Sequence, residues 1–276
     1  MSCPSATMVV WTSAWLHGAA AADDVLDALQ SWAESHEVTA HDESTADELG
    51  VPALPDHGAS PALLLAAARR LGATGGELIL PVAGDLRGLR GHATFAAAAL
   101  YAGEAAVLTI SPEAAAEHGT TGDLGLVPER VADGVIRWLA FRLPATATAE
   151  HTPLGEAEHE LSGAMRAAAT ALVELDVARH RPGVREEISA VVEGQPRTPW
   201  PPGMPSRALR VLQRANEVAA ILHVATSDDP GGAVSATAIR RRAEALRPLD
   251  HAVRTARKAA VAEAVRTLSD SPRVDR

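Results

Sequence analysis

Apolar residues in the first half of the chain alternate between short continuous runs and segments with helical spacing. Gly and Pro punctuate the runs, which is typical of strands and turns. Five segments are predicted to be strands: 8–16, 36–42, 76–84, 104–110 and 134–144. Three are predicted to be helices: 22–33, 60–73 and 92–103. Residues 43–61 contain three prolines and predict a long irregular connection.

Strands separated by helices favour an α/β layer, with some antiparallel pairing near 104–144. Within 134–144, Arg137 and Arg142 fall on opposite faces of the strand. A charge on each face predicts an edge strand, or one that is partly exposed.

The second half is dominated by helical periodicity. Residues 195–205 are rich in proline and predict a rigid connector, whose Trp200 is expected to dock onto the helical bundle. Pro248 predicts a kink or break near Arg247. The predicted helices span 155–180, 183–193, 205–226 and 235–268.

A composition shift divides the chain after a linker at 144–155. Residues 1–150 contain seven arginines against 19 acidic residues, whereas residues 151–276 contain 18 basic and 16 acidic residues. The sequence therefore predicts an acidic α/β (or α+β) N-terminal domain over 1–150, followed by an all-α helical bundle domain over 151–276.

Composition also limits compartment and partners. No apolar stretch approaches the roughly 20 residues that span a bilayer, and no basic region precedes the first apolar segment. Cys3 is the only cysteine, so no intrachain disulfide can form. These features predict a cytoplasmic protein, and the net charge of −10 argues against nucleic-acid binding by the whole chain.

The stretch LILPVAGDLRGLRGHATF, residues 78–95, contains the strongest candidate site. If a strand precedes this loop and a helix follows it, backbone amides and two arginines could hold a phosphate or carboxylate. The glycine spacing matches neither GxGxxG nor GxxxxGK[ST], and a plain connecting loop is the commoner explanation. The candidate anion-binding residues are Gly84, Asp85, Arg87, Gly88, Arg90, Gly91 and His92.

Two further patterns carry weaker predictions. Glu156 and His159 share a helical face, but no second such motif accompanies them, so neither a metal nor another cofactor is expected. A basic stripe could meet phosphates, although a solvated face explains it better. The stripe comprises Arg240, Arg241, Arg242, Arg247, Arg254, Arg257 and Lys258.

Residues 228–260, LILPVAGDLRGLRG and the LGLVP of 124–128 resemble an uncharacterised protein family of high-GC Gram-positive bacteria. The resemblance implies a two-part cytoplasmic protein and transfers no activity or site residues.

The leading functional prediction is a non-enzymatic binding or assembly protein, acting by self-association or with a protein partner through the helical half. The alternative is a sensor or enzyme for a small anionic ligand that uses loop 84–92. The third hypothesis is nucleic-acid binding through the stripe from Arg240 to Lys258.

Overall fold

The computed structural model separates two compact units. The N-terminal unit contains residues 3–150, 197–205 and 261–276, and the helical unit contains 151–196 and 206–260. The predicted division at residue 150 stays a prediction. The structure describes residues 3–55, 57–85, 87–117, 122–144, 152–174, 183–194, 196, 199–227 and 236–270.

A five-stranded mixed sheet forms the centre of the N-terminal unit. Its order is β1-β5-β4-β3-β2, with β1 parallel to β5 and all other neighbours antiparallel. The predicted antiparallel pairing near 104–144 is confirmed. The strands are β1 (Ser35–Ala40), β2 (Ala73–Ile79), β3 (Ala105–Ile110), β4 (Asp123–Ala132) and β5 (Val135–Leu143).

Strand β4 was not predicted, although its hairpin with β5 has a short-range signal. Asp133-Gly134 joins the two strands, and Gly134 has a φ of 68°. Asp-Gly between apolar runs is a strong hairpin signal because the turn needs positive φ. Pro128 and three charged residues, Asp123, Glu129 and Arg130, obscured the alternation in β4.

The edge-strand alternative for 134–144 is wrong, because β5 lies between β1 and β4. The other alternative, partial exposure, agrees with the half-buried Val135, Arg137 and Arg142. Each arginine that suggested exposure instead has a carboxylate partner. Arg137 pairs with Glu37 at 2.6 Å, and Arg142 pairs with Glu48 at 2.9 Å. Opposite charges from β1 and from the helix after it allow an interior strand to carry arginines on both faces.

The prediction of a strand at 8–16 is also wrong, because these residues belong to α1 (Pro4–Leu16). Nearly every residue of α1 is buried, so no polar stripe marks it as a helix. An apolar run without periodicity does not distinguish a buried helix from a buried strand. Pro4 at the first turn is the local helix signal.

Helices cover both sides of the sheet. The predicted irregular segment 43–61 instead begins with a short helix, since the Asp42 side chain accepts from the Thr45 amide and Gly50 ends that helix in the left-handed conformation. The predicted cap at Ser60 is confirmed. The helices are α2 (Ala22–Gln30), α3 (Glu43–Leu49), α4 (Pro61–Arg70), α5 (Ala93–Ala102) and α6 (Pro112–Glu117).

The two faces of the sheet bury different clusters. One face carries Val38 and Trp138, which pack in the same core as α1. The other carries Val107 and Phe141, which pack with Phe95 of α5. The N-terminal unit is thus a sheet between helices, as the sequence predicted.

The helical unit contains α7 (Leu154–Glu174), α8 (Val184–Glu193), α9 (Ser206–Ser227) and most of α10 (Ala236–Asp270). The predicted helical character of this half is confirmed. Of the kink or break predicted near Arg247, the break is wrong, because α10 continues through Pro248. The kink stays a prediction. Residues 175–180 of the first predicted helix lie outside the described residues.

The prediction that Trp200 docks onto the helical bundle stays a prediction, because the cluster that it packs against also contains Val261, Ala264 and Leu268 of α10. Trp200 packs against the core of the N-terminal unit, where the Trp11 indole donates to the Pro199 carbonyl at 2.9 Å.

Candidate functional site

Loop 82–92 joins β2 to α5 and follows a backbone path that glycine makes possible. Gly84, Gly88 and Gly91 have φ values of 87°, 79° and 68°. Arg90 has a φ of 55° and is the one non-glycine residue with positive φ in the described part of the chain. A non-glycine residue in this conformation is uncommon and implies that surrounding contacts hold it.

Arg87 and Asp85 form a pair within the loop. The Arg87 guanidinium donates to both carboxylate oxygens of Asp85 at 2.8 Å, and the Arg87 amide donates to the same carboxylate at 3.2 Å. The Arg87 side chain is largely exposed. An incoming anion would therefore compete with a carboxylate two residues away.

Arg90 points toward the sheet and bridges two carboxylates. Its Nη2 lies 2.9 Å from Glu77 Oε2 on β2, and its Nη1 lies 3.0 Å from Asp123 Oδ2 at the start of β4. The side chains of Arg90 and Asp123 are only 7% and 6% exposed. Asp123 also accepts from the Ile110 amide. Arg90 thereby fastens the loop to the sheet.

His92 stands at the amino end of α5. Its Nδ1 accepts from the Phe95 amide at 3.1 Å, which satisfies one of the free amides of the first helical turn. The ring meets Phe141 edge-on, with centroids 5.9 Å apart. A proton on the neutral ring must then reside on Nε2.

Sequence reasoning missed two residues that the fold brings close to His92. His41 follows β1 and stacks on Phe141 with centroids 4.7 Å apart. The amide of Thr45 holds the pKa of the Asp42 carboxyl below its ordinary value, and the charges of His41 and His92 lower it further. His41 and Asp42 directly follow a strand, a position where ligand-binding residues of parallel sheets often lie.

The cluster of His41, Asp42 and His92 offers two imidazoles and one carboxylate around an aromatic ring. The His41 amide donates to the Ala140 carbonyl at 2.8 Å, but its ring makes no hydrogen bond to a described residue, and the Nε2 of His92 makes none either. The group can exchange hydrogen bonds or a proton with a small polar ligand. No set of three potential metal ligands occurs among the described residues.

The other candidates from the sequence lie on helices of the helical unit. Glu158, between Glu156 and His159, pairs with Arg207 at 2.8 Å within the helical unit. In the basic stripe, Arg240, Arg241 and Arg247 are exposed, whereas Arg257 is buried. The stripe is therefore not one continuous solvent-facing surface.

Cys3, the single cysteine, is buried at the start of α1 and belongs to the core.

The fold and the loop define a two-unit α/β and helical protein with a polar cluster beside the carboxyl ends of β1 and β5. The Rv1486c-like protein N-terminal domain matches residues 5–152, and the Rv1486c-like protein C-terminal domain matches residues 155–258. The chain belongs to this Rv1486c-like family, which confirms the resemblance found from the sequence.

The similar proteins come from mycobacteria. The chain is 39% identical to "Uncharacterized protein Rv1486c" of Mycobacterium tuberculosis, covering 95% of this chain and 96% of that protein. It is 34% identical to "Uncharacterized protein ML1804" of Mycobacterium leprae, covering 95% and 97%. No solved structure matches. No helix in the described residues is long and apolar enough to cross a membrane.

Proposed function

We propose that the chain is a non-enzymatic assembly protein that self-associates through the exposed face of α5. The observation that carries this proposal is Tyr101, the only tyrosine of the chain, whose surface is 93% exposed. Leu100 beside it is 39% exposed. Ala93 and Ala97 are also exposed and continue the same helical face. We call these four residues the α5 stripe.

The α5 stripe is suited to a second copy of the chain. Helix α5 contains no charged residue, although the chain has a net charge of −10. Two copies can approach at such a face without direct repulsion, and alanines allow two helices to approach closely. Tyrosine is enriched at protein interfaces because it combines a large apolar surface with a polar hydroxyl.

The polar groups of loop 82–92 support a structural role for the loop rather than catalysis. Arg90 is held by Glu77 and Asp123, and Arg87 is held by Asp85. A ligand anion would have to displace these internal carboxylates. The carboxylates have an advantage, because they belong to the same chain and lose no translational freedom when they pair, whereas a free ligand does.

The helical unit provides the alternative surface that the sequence favoured for assembly. Val173, Val192 and Ile221 are exposed on three different helices. Single exposed apolar residues are common on protein surfaces, whereas the α5 stripe is continuous. This contrast favours α5. We also place the protein in the cytoplasm, since its single cysteine cannot form an intrachain disulfide.

Sedimentation velocity across a concentration series tests self-association. We expect a dimer population that grows when salt rises from low to physiological strength, because salt screens the repulsion between two acidic chains. The double variant Leu100→Ser, Tyr101→Ser should be monomeric. Leu63→Ser, which alters an exposed leucine of α4, is the matched control and should still dimerise.

A chain that remains monomeric at every concentration and salt strength contradicts the proposal. Dimerisation that survives the double variant moves the interface elsewhere, with the helical unit as the next surface to test.

A second candidate function is binding of a small polar ligand by His41 and His92. It is favoured by their unpaired ring nitrogens around Phe141. A thermal-shift screen with nucleotides, phosphorylated metabolites and carboxylates tests it. A shift lost in His41→Asn and kept in His159→Asn, an exposed position on α7, supports this candidate. Nucleic-acid binding through the basic stripe stays a prediction.

A further inference from the structure

Three basic residues lie on one side of α10 within the helical unit. Arg254, Arg257 and Lys258 are spaced i, i+3 and i+4, which places their side chains next to one another on a helix. We call them the α10 basic cluster. Arg254 is also in contact with Asp250, from which it lies at 3.3 Å, and with His251, at 3.4 Å.

Arg257 is the unusual member of the cluster. It is only 8% exposed, and its Nε is fully enclosed without a hydrogen-bond partner. Among the described residues, neither Arg257 nor Lys258 has a carboxylate within ion-pair distance. By contrast, Arg90, whose side chain is 7% exposed, is paired with two carboxylates.

A buried charge without a counter-charge is expensive, and proteins normally pair or neutralise it. Arginine does not escape the cost by losing its proton, because its guanidinium stays charged in proteins. Over residues 250–260 three fixed positive charges meet only one acid, Asp250, in a chain that is otherwise strongly acidic. Among the described residues, Arg257 and Lys258 therefore lack a counter-charge, which an anion from solution can supply.

We propose that the α10 basic cluster binds an oxyanion, with a phosphate group as the preferred chemistry. A guanidinium presents several donors in one plane and an ammonium adds a further donor, a combination suited to the several oxygens of phosphate. Partial burial strengthens the attraction because water screens it less. This site is independent of the α5 stripe and of loop 82–92.

Thermal unfolding of the full chain with inorganic phosphate, compared with sodium chloride at equal ionic strength, tests the proposal. We expect phosphate to raise the Tm by several degrees once it exceeds its Kd many-fold. Succinate at the same ionic strength distinguishes a phosphate site from a general carboxylate site. Titration calorimetry with phosphate then gives the Kd.

Arg257→Met is the principal variant, since methionine fills much of the same space without charge. We expect its Tm in chloride to equal or exceed that of the native chain, and its phosphate affinity to fall at least tenfold. Lys258→Gln, at a half-buried position, is a milder second variant with the same expected direction. Arg247→Met removes an exposed arginine of the same helix and should leave the phosphate response unchanged.

Several outcomes overturn the proposal. One is an equal Tm in phosphate and chloride, and another is a phosphate response that Arg257→Met and Lys258→Gln both retain. A response lost in Arg87→Ala instead would place the anion at loop 82–92. A large Tm loss for Arg257→Met in chloride would mean that the protein itself satisfies this guanidinium.

Discussion

Arg90 is expected to contribute strongly to the stability of the fold, because its side chain is buried together with two carboxylates. Replacing it with methionine leaves Asp123 buried and unpaired, and breaking such a pair costs about 3–5 kcal/mol. We therefore expect Arg90→Met to lower the free energy of unfolding by that amount. Urea denaturation of the variant and the native chain measures the difference.

The neighbouring Arg87→Ala serves as the control for Arg90. Its pair with Asp85 is exposed, and exposed pairs contribute about 0–1 kcal/mol. Equal losses for the two variants would show that burial does not set the strength of these pairs.

We expect the buried His36 to make the stability of the chain depend on pH. Burial lowers the pKa of His36 in the folded chain, and its two ring nitrogens contact the Leu29 carbonyl and the Trp138 indole. The unfolded chain therefore binds this proton more readily. The contribution of His36 to stability is present above pH 6.5 and is lost as pH falls through the lowered pKa.

Denaturation curves of His36→Asn between pH 7 and pH 5 test this dependence. We expect the variant to be less stable at pH 7, because two hydrogen bonds are disturbed, yet to lose less stability on acidification. His159→Asn changes an exposed histidine and should keep the native slope. A His36→Asn curve parallel to that of the native chain would contradict the assignment.

Residue identities alone indicated some of these roles. Glycine at 84, 88 and 91 predicted a tightly turning loop, which the positive φ values confirm. The partners of Arg90 were hidden because Glu77 and Asp123 come from strands that meet only in the folded sheet. An arginine in a glycine-rich loop is typical of an anion site until its internal partners are known.

At the scale of elements, Pro248 offers a test in α10. The helix continues through this exposed proline, which has no amide to donate and whose ring crowds the preceding turn. We expect Pro248→Ala to raise stability by about 1–3 kcal/mol, less than the full interior cost if the helix already bends there. Thermal and urea denaturation measure the gain.

Arg247→Ala, at the exposed position before Pro248, is the control and should change stability by less than about 0.5 kcal/mol. If Pro248→Ala does not raise the stability, then contacts with the surrounding residues, and not the proline, determine the stability of α10 near this position.

Amphipathic helices were predictable because one face repeats every three or four residues, as in α4. Helix α1 was not, because a helix buried on all sides has lost the contrast that periodicity measures. The same limitation applies to interior strand β5, whose arginines look exposed until their partners Glu37 and Glu48 are placed.

At the scale of the whole molecule, the end of α10 completes the core of the N-terminal unit. Val261, Ala264 and Leu268 are fully buried in the same cluster as α1. We expect Leu268→Ala to destabilise the N-terminal unit by about 2–5 kcal/mol, as loss of a buried leucine usually does. Unfolding monitored by tryptophan fluorescence reports on this unit, which contains all five tryptophans.

Asp270→Ala changes an exposed position two residues further along and should leave that transition nearly unchanged. A Leu268→Ala variant with native stability would show that the end of α10 does not stabilise the core of the N-terminal unit.

The sequence by itself determined the strand-and-helix character of the first half, the helical character of the second and membership of the Rv1486c-like family. It did so because periodicity, caps and turn residues are local properties. Tertiary structure alone decided that α1 is a helix, that β5 is an interior strand and that Trp200 and the end of α10 belong to the N-terminal unit. It also decided that Arg90 is paired, while Arg257 has no carboxylate partner among the described residues, because a side chain's counter-charge depends on segments distant in sequence.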